Sequence, residues 1–175
     1  SWVQDEIVTV MSVPHEMTIP RRLAGRYLKI ELLGISGSFD FVFDKLTFKT
    51  QTSVTNEAPA LASTTDPLVR DIYKVGLNTL KECMQTVYED GPKRDRRLWI
   101  GDLYLEALAN AHTFKNHELT KHCLYLLAAF ANDEGLLHAT LLEKPQPHPQ
   151  YGTHTLDYCL IYNVALLEYL KETGD

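Results

Sequence analysis

The most highly charged stretch between two apolar segments of this chain reads Asp90-Gly91-Pro92-Lys93-Arg94-Asp95-Arg96-Arg97-Leu98-Trp99-Ile100-Gly101-Asp102. Seven of its thirteen residues are charged, both signs are mixed, and its Gly-Pro pair breaks any helix at the start. Strongly apolar helical patterns lie on both sides of it. We therefore predict a loop at the rim of a helical core. Two interpretations stay open: an ordinary charged inter-helix loop, or a sugar site built from carboxylates, arginines and a tryptophan.

Helical periodicity dominates the second part of the chain. Asp66-Pro67 supplies an N-cap followed by proline at the first helical position. From there, apolar residues recur with a period of about 3.6, which predicts amphipathic helices. The predicted helices are 67–88, 101–113, 117–131 and 155–172, and the last two are separated by a loop over 145–152 that cannot be helical.

The first part of the chain shows the period of β-strands instead. Residues 7–10 form a candidate strand, and residues 26–33 alternate apolar and charged side chains. The alternation continues with Phe39, Phe41 and Phe43 and then slips by one residue, which suggests a bulge. A few strands with one apolar face need partners. These strands are therefore interpreted as the last ones of a β-sandwich.

The two periodicities define the predicted domains. Residues 1–60 are assigned to the C-terminal strands of a β-sandwich, and residues 66–175 to an all-α domain. Residues 50–65, rich in Ser, Thr, Asn and Ala, are expected to be a linker between them. The predicted fold class is therefore mixed, with strands followed by helices.

Composition excludes several classes of function. A net charge of -6 argues against a nucleic-acid partner. No apolar run has membrane-spanning length, and the first residues do not resemble a signal peptide, so we expect no membrane partner and a cytoplasmic location. The seven histidines and three cysteines show no ligand spacing, so we expect no metal and no cofactor.

Three loop carboxylates are candidates for glycoside chemistry: Asp90, Asp95 and Asp102. In glycoside hydrolysis one carboxyl protonates the leaving oxygen, while a second activates water or attacks. Each candidate also has a structural explanation. Asp90 suits a turn after a helix, Asp102 suits the first turn of a helix, and Trp99 suits a core. Asp95 stands between two arginines, whose charge opposes the protonated form that a general acid needs.

The same loop resembles the signature that opens the catalytic domain of bacterial α-L-rhamnosidases, glycoside hydrolase family 78. The family signature reads roughly Asp-Cys-Pro-x-Arg-(Asp/Glu), followed after a short interval by Trp-x-Gly-Asp, and residues 90–102 resemble it. Residues 133–137, 157–158 and 173–175 resemble the family more loosely, and the order of a β segment before helices agrees with it.

The resemblance implies an inverting hydrolase of terminal α-L-rhamnosides, so a rhamnose-containing glycoside is the expected partner. It also implies that the helices are the first third of an (α/α)6 toroid of six hairpins. The family's general base, a Glu, lies beyond the helices present here. We therefore expect these 175 residues to be inactive alone and to self-associate through the exposed face of the helical domain.

The roles implied by the resemblance are assigned position by position. Asp95 is the general acid, and the substrate-binding residues are Asp90, Arg94, Trp99 and Asp102. Asp95 departs from the family, which has Glu there, and its side chain reaches about 1.5 Å less.

The loop can be aligned with the family signature in a second way, which changes the position of the acid. A family variant with one more residue before the Trp would put the acid at Arg96, and Gly91 stands where the family has Cys. Two alternatives for the function also stay open: a catalytically silent carbohydrate-binding relative, or a helical module that binds a protein partner.

Overall fold

A computed structural model describes residues 5–38 and 40–175 and divides the chain into two compact units, Ser1–Thr50 and Gln51–Asp175. In the first unit, residues 5–38 and 40–50 form neither helix nor strand. The strands predicted at 7–10 and 26–33 are therefore wrong for the described residues, and the predicted position of Phe39 lies outside them.

The reason for this difference is pairing. A strand is stabilised when a neighbouring strand takes up its backbone hydrogen bonds and another layer covers its apolar face. Within the described residues of the first unit no such ladder forms. The alternating side chains Leu28, Ile30 and Leu32 are each about half exposed. The alternation is real, but its partners are not among these residues.

The second unit contains four helices: α1 (Pro67–Cys83), α2 (Ile100–His112), α3 (His117–Ala129) and α4 (Leu156–Thr173). Their existence and order confirm the sequence prediction. At the start of α1 the Asp66 side chain accepts a hydrogen bond from the Leu68 N–H, and Pro67 follows the cap. At the end of α4 Gly174 adopts a left-handed conformation with φ 76°, which glycine tolerates without steric penalty.

The first helix is shorter than predicted. It ends at Cys83 rather than at residue 88, and Met84 and Tyr88 then form an isolated antiparallel bridge. Both side chains are completely buried, and the Tyr88 hydroxyl lies 2.8 Å from the Thr120 Oγ1. A buried hydroxyl needs such a partner. This tight turn therefore holds the chain in the core just before the 90–102 loop.

A small sheet accompanies the helices. Its strands are β1 (Leu98–Trp99), β2 (Thr140–Leu142) and β3 (His148–Pro149), all antiparallel in the order β1-β2-β3. The sequence did not predict this sheet, because strands of two or three residues are too short to show a period. β3 lies inside the segment that was predicted to be a loop.

Residues 51–60, which the sequence prediction assigned to the β segment, belong to the helical unit. The Ser53 N–H donates to the Met84 carbonyl at 2.9 Å, and the Asn56 Nδ2 donates to the Phe114 carbonyl at 3.0 Å. This segment therefore lies along the helices as a strap, and the expected linker is in contact with the core.

The core of the second unit anchors both ends of the 90–102 loop. Completely or almost completely buried side chains come from the turn after α1, from β1 and β2 and from α2 and α3: Met84, Tyr88, Leu98, Ile100, Leu103, Leu127 and Leu141. Full burial of one such aliphatic side chain contributes about 1.5–3 kcal/mol. The charged loop is thus fixed by apolar residues on both sides of it and by Leu98 and Ile100 within its last five residues.

Candidate functional site

The base of the 90–102 loop is closed by hydrogen bonds between Asp90 and Arg97. The Asp90 N–H donates to the Arg97 carbonyl at 3.0 Å, and the Arg97 N–H donates to the Asp90 Oδ1 at 3.0 Å. Inside the loop, the Arg94 and Arg96 N–H groups both point at the Gly91 carbonyl, at 3.2 and 3.3 Å. Asp90 is therefore held in one orientation by the backbone.

Arg96 has a structural position in this loop. Its φ of 53° is left-handed, which is unfavourable for a residue with a Cβ, and its Nε donates to the Pro92 carbonyl at 2.7 Å. A guanidinium does not release a proton in proteins. The alternative alignment would put the acid at Arg96. The side chain there is a cation that is hydrogen-bonded to its own loop and cannot act as the acid.

Arg94 and Asp95 lie in the outer turn of the loop and pair with each other. The Arg94 Nε is 3.5 Å from the Asp95 Oδ1, and the two side chains are 62% and 30% exposed. An exposed ion pair of this kind contributes about 0–1 kcal/mol. Either side chain can therefore exchange its partner for a ligand at a small free-energy penalty.

Trp99 is the last residue of β1, directly before α2, and packs on Tyr158. The two rings meet edge to face, with centroids 6.3 Å apart at 90°. A Cβ added to Gly101 would lie 2.9 Å from the Tyr158 Oη, which explains a glycine at this position of the motif. Trp99 is only partly buried, so part of its ring remains available to a ligand.

Asp102 lies in the first turn of α2, near Asp90. Burial, and secondarily the charge of Asp90, raise the pKa of Asp102. The helix dipole acts in the opposite direction, because the N-terminal end of a helix favours a negative charge. Asp90 and Asp102 thus form an inner pair of carboxyls, whereas Arg94 and Asp95 form an outer ion pair.

Glu106 is a residue of this cluster that the sequence analysis missed. It lies four residues after Asp102, on the same face of α2. Burial, followed by the charge of Asp102, raises the pKa of Glu106 to about 8. Its Oε2 is inaccessible to solvent and has no hydrogen-bond partner within residues 5–38 and 40–175. The sequence did contain a sign of this residue, since Glu106 follows Asp102 of the motif by one helical turn.

A group of rings lies beside β2. His138 is buried, with ring centroids 4.1 Å from His154 and 5.6 Å from Tyr151. Burial, and then the neighbouring His154, lower the pKa of His138. The His154 Nδ1 is 3.0 Å from the Leu137 carbonyl. The ring of His138 therefore contacts both Tyr151 and His154. The sequence analysis did not single out His138.

Metal sites and membrane-spanning helices are both absent from the described residues. Over 5–38 and 40–175 no group of three or more His, Cys, Asp or Glu side chains is arranged to hold a metal ion. In the same part of the chain, no helix has the length and apolarity needed to cross a membrane.

Comparison with known families gives two matches along the chain. Residues 1–50 match the glycosyl hydrolase family 78 alpha-rhamnosidase N-terminal domain. Residues 58–175 match the bacterial alpha-L-rhamnosidase 6 hairpin glycosidase domain. A search of curated proteins found no match.

Two solved structures are similar to this chain. A rhamnosidase from Klebsiella oxytoca with rhamnose bound is 44% identical, with a TM-score of 0.67, over 71% of this chain and 24% of that chain. A family 78 rhamnosidase of Bacillus sp. GL1 shares the fold at 24% identity and a TM-score of 0.60, over 70% of this chain and 12% of that chain.

The match over residues 58–175 assigns the helical unit, with its loop of carboxylates, arginines and a tryptophan, to the six-hairpin glycosidase domains. The chain belongs to glycoside hydrolase family 78, the bacterial α-L-rhamnosidases, and matches two of the family's domains. It spans about a quarter of the length of the Klebsiella rhamnosidase.

Proposed function

We propose that the protein to which these residues belong cleaves terminal α-L-rhamnosides from glycosides or oligosaccharides with inversion of configuration. The observation that carries this proposal is the 90–102 loop, whose carboxylates and tryptophan are fixed at the start of α2 in a family 78 chain. The relative from Klebsiella, a rhamnosidase with rhamnose bound, supports rhamnose as the sugar.

Sugar binding is assigned to four residues of the loop. Asp90 and Asp102 accept hydrogen bonds from sugar hydroxyls, since ionised carboxylates are acceptors only. Arg94 donates to a hydroxyl from the outer turn, where its side chain is 62% exposed. Trp99 offers its ring to an apolar face of the sugar and is held in place by Tyr158.

Protonation of the leaving oxygen is assigned to Asp95. Substrate binding draws Arg94 from Asp95 to a sugar hydroxyl, which removes a cation from beside the acid. Water then attacks from the opposite side of the ring, activated by a Glu from outside these 175 residues. An inverting pair of carboxyls is about 6.5–9.5 Å apart, which leaves room for that water.

The test compares two variants of the full-length protein on aryl α-L-rhamnosides. Asp95→Asn is expected to lower kcat by about 10²–10⁴ on a poor leaving group. A dinitrophenyl rhamnoside needs little protonation and should be far less affected. Asp102→Asn is expected to act mainly on KM. A wild-type protein that leaves rhamnosides intact would overturn the proposed function.

A second candidate function is a carbohydrate-binding relative without catalysis. Asp95, the shorter acid, stands where the family has Glu and is paired with Arg94 at 3.5 Å, which favours this alternative. Under it, wild type would bind rhamnose without turnover, and Asp95→Asn would leave the affinity unchanged. Calorimetric titration with rhamnose, run beside the turnover assay, separates the two.

We further propose that the helices form the first third of an (α/α)6 toroid, and that these 175 residues by themselves neither turn over rhamnosides nor remain monomeric. Leu160, Leu167 and Leu170 of α4 are each about half exposed. Contiguous apolar surface of this kind promotes association. Light scattering is expected to give a dimer or larger species, and a clean monomer would contradict the association.

A further inference from the structure

Glu106 has a partly buried side chain to which the proposed reaction gives no role. It lies on α2 one turn below Asp102, and its Oε2 is buried with no hydrogen-bond partner in the described parts of the chain. A buried, unpartnered oxygen is far more costly on a carboxylate than on a carboxylic acid. The geometry thus favours the neutral form.

The charged groups that act most strongly on Glu106 are carboxylates, and the Cys83 thiol is hydrogen-bonded to it. Electrostatic or hydrogen-bonding interactions link it to residues on its own helix, on α1, in the segment after α1 and on α3: Asp102, Cys83, Tyr88, Glu89, Asp90 and Cys123. Burial, and next the charge of Glu106, raise the pKa of Cys83 to about 12. Cys83 is therefore a thiol at neutral pH.

We infer that Glu106 is a positioning residue: it holds a proton at neutral pH, so that Asp90 and Asp102 remain ionised side by side at the sugar site. This inference rests on the proposed function, which assigns sugar hydroxyls to those two carboxylates. Carboxyls that share a partly buried space do not all ionise together, and one whose buried oxygen has no hydrogen-bond partner keeps its proton. Ionising Glu106 places a third negative charge below the pair and drives Asp102 out of position.

The inference predicts a change in sugar binding at alkaline pH. Since the pKa of Glu106 is raised to about 8, the neutral fraction falls between pH 7 and 9. Over that interval the KM of the full-length wild type for an aryl rhamnoside is expected to rise about fivefold, which corresponds to one added repulsion between partly buried charges. The effect should appear in KM rather than in kcat, because Glu106 does not touch the reacting atoms.

The decisive variant is Glu106→Gln, which keeps the shape of the side chain and cannot ionise. Its KM is expected to stay level from pH 7 to 9 and to match wild type at pH 7 within about twofold. The matched control is Glu118→Gln, an exposed glutamate in the first turn of α3, which should retain the wild-type rise. An identical rise in wild type and Glu106→Gln would overturn the positioning role.

A second measurement needs neither turnover nor the variant. In wild-type protein labelled with ¹³C-glutamate, one carboxyl resonance is expected to titrate with a midpoint near pH 8. Its absence would overturn the inference even if rhamnosides are cleaved. If wild type shows no rhamnoside turnover, the proposed function fails, and the same resonance together with the pH dependence of rhamnose affinity still decides the role of Glu106.

Discussion

The inner and outer parts of the 90–102 loop both contain partly buried aspartates, but the partners of those aspartates differ. In the inner part, Asp90 is fixed by the backbone of Arg97, and burial raises the pKa of Asp102. In the outer part, Arg94 and Asp95 make an exposed ion pair at 3.5 Å. Asp90, Asp95 and Asp102 are all partly buried, so the difference lies in their partners: a backbone N–H fixes Asp90, whereas Asp95 is paired with the exposed side chain of Arg94.

The largest expected effect comes from the apolar anchor of the inner part. Leu98 is 1% exposed in β1, directly opposite Leu141 of β2. Leu98→Ala should lower the free energy of unfolding by about 2–5 kcal/mol, because it leaves a cavity under the loop. Urea titration followed by circular dichroism measures this. A loss below 1 kcal/mol would show that the loop does not depend on the core.

Glu106→Gln should have the next largest effect, and one that depends on pH. The pKa of Glu106 is raised from 4.5 to about 8 in the folded protein, so the unfolded chain releases this proton first as pH rises. Wild-type stability from this group therefore falls between pH 4.5 and 8 and levels off above, by up to a few kcal/mol.

The variant cannot ionise and should lack that decline. Unfolding free energies at pH 5, 7 and 9 give the comparison, with Glu118→Gln as the control that follows wild type. Parallel curves for wild type and Glu106→Gln would mean that the carboxyl is ionised in the folded state across the range.

Gly101→Ala tests how the tryptophan is positioned. The added methyl group would lie 2.9 Å from the Tyr158 Oη, so the ring or α2 must shift. We expect a destabilisation of about 1–3 kcal/mol and a change in Trp fluorescence. Tyr158→Phe in the same chain removes the nearest atom and should restore part of the loss. If Tyr158→Phe restores none of the lost stability, the strain does not arise from the contact with the Tyr158 hydroxyl.

The smallest effect on stability is expected at the outer part. Arg94→Ala removes an exposed ion pair and should change the free energy of unfolding by about 0–1 kcal/mol. In the full-length protein the same variant should still raise KM for a rhamnoside. A loss of more than 2 kcal/mol would show that the outer turn is as rigid as the inner part.

Much of the helical unit could be predicted from the sequence. Asp66-Pro67, Gly174 and the apolar period set the order and approximate ends of four helices, because caps and amphipathic faces are local properties. The charged loop between α1 and α2 was predicted for the same reason. The roles of its residues came from the resemblance to family 78, and those roles remain proposals.

The strands show the limit of local patterns. Residues 26–33 alternate well and form no strand in the structure, whereas β1, β2 and β3 pair although none is long enough to alternate. A ladder depends on which segments meet, and segments such as β1 and β2 are some forty residues apart in the chain.

The sequence by itself therefore determined the helices, the position of the loop and the residue types available for sugar chemistry. Only the tertiary structure decided that Asp90 is held by Arg97, that Gly101 faces Tyr158, and that the Oε2 of Glu106 is buried one turn from Asp102. The physical reason is that desolvation and charge–charge interaction depend on distances through space. Residues far apart in the chain set those distances only once the core has packed.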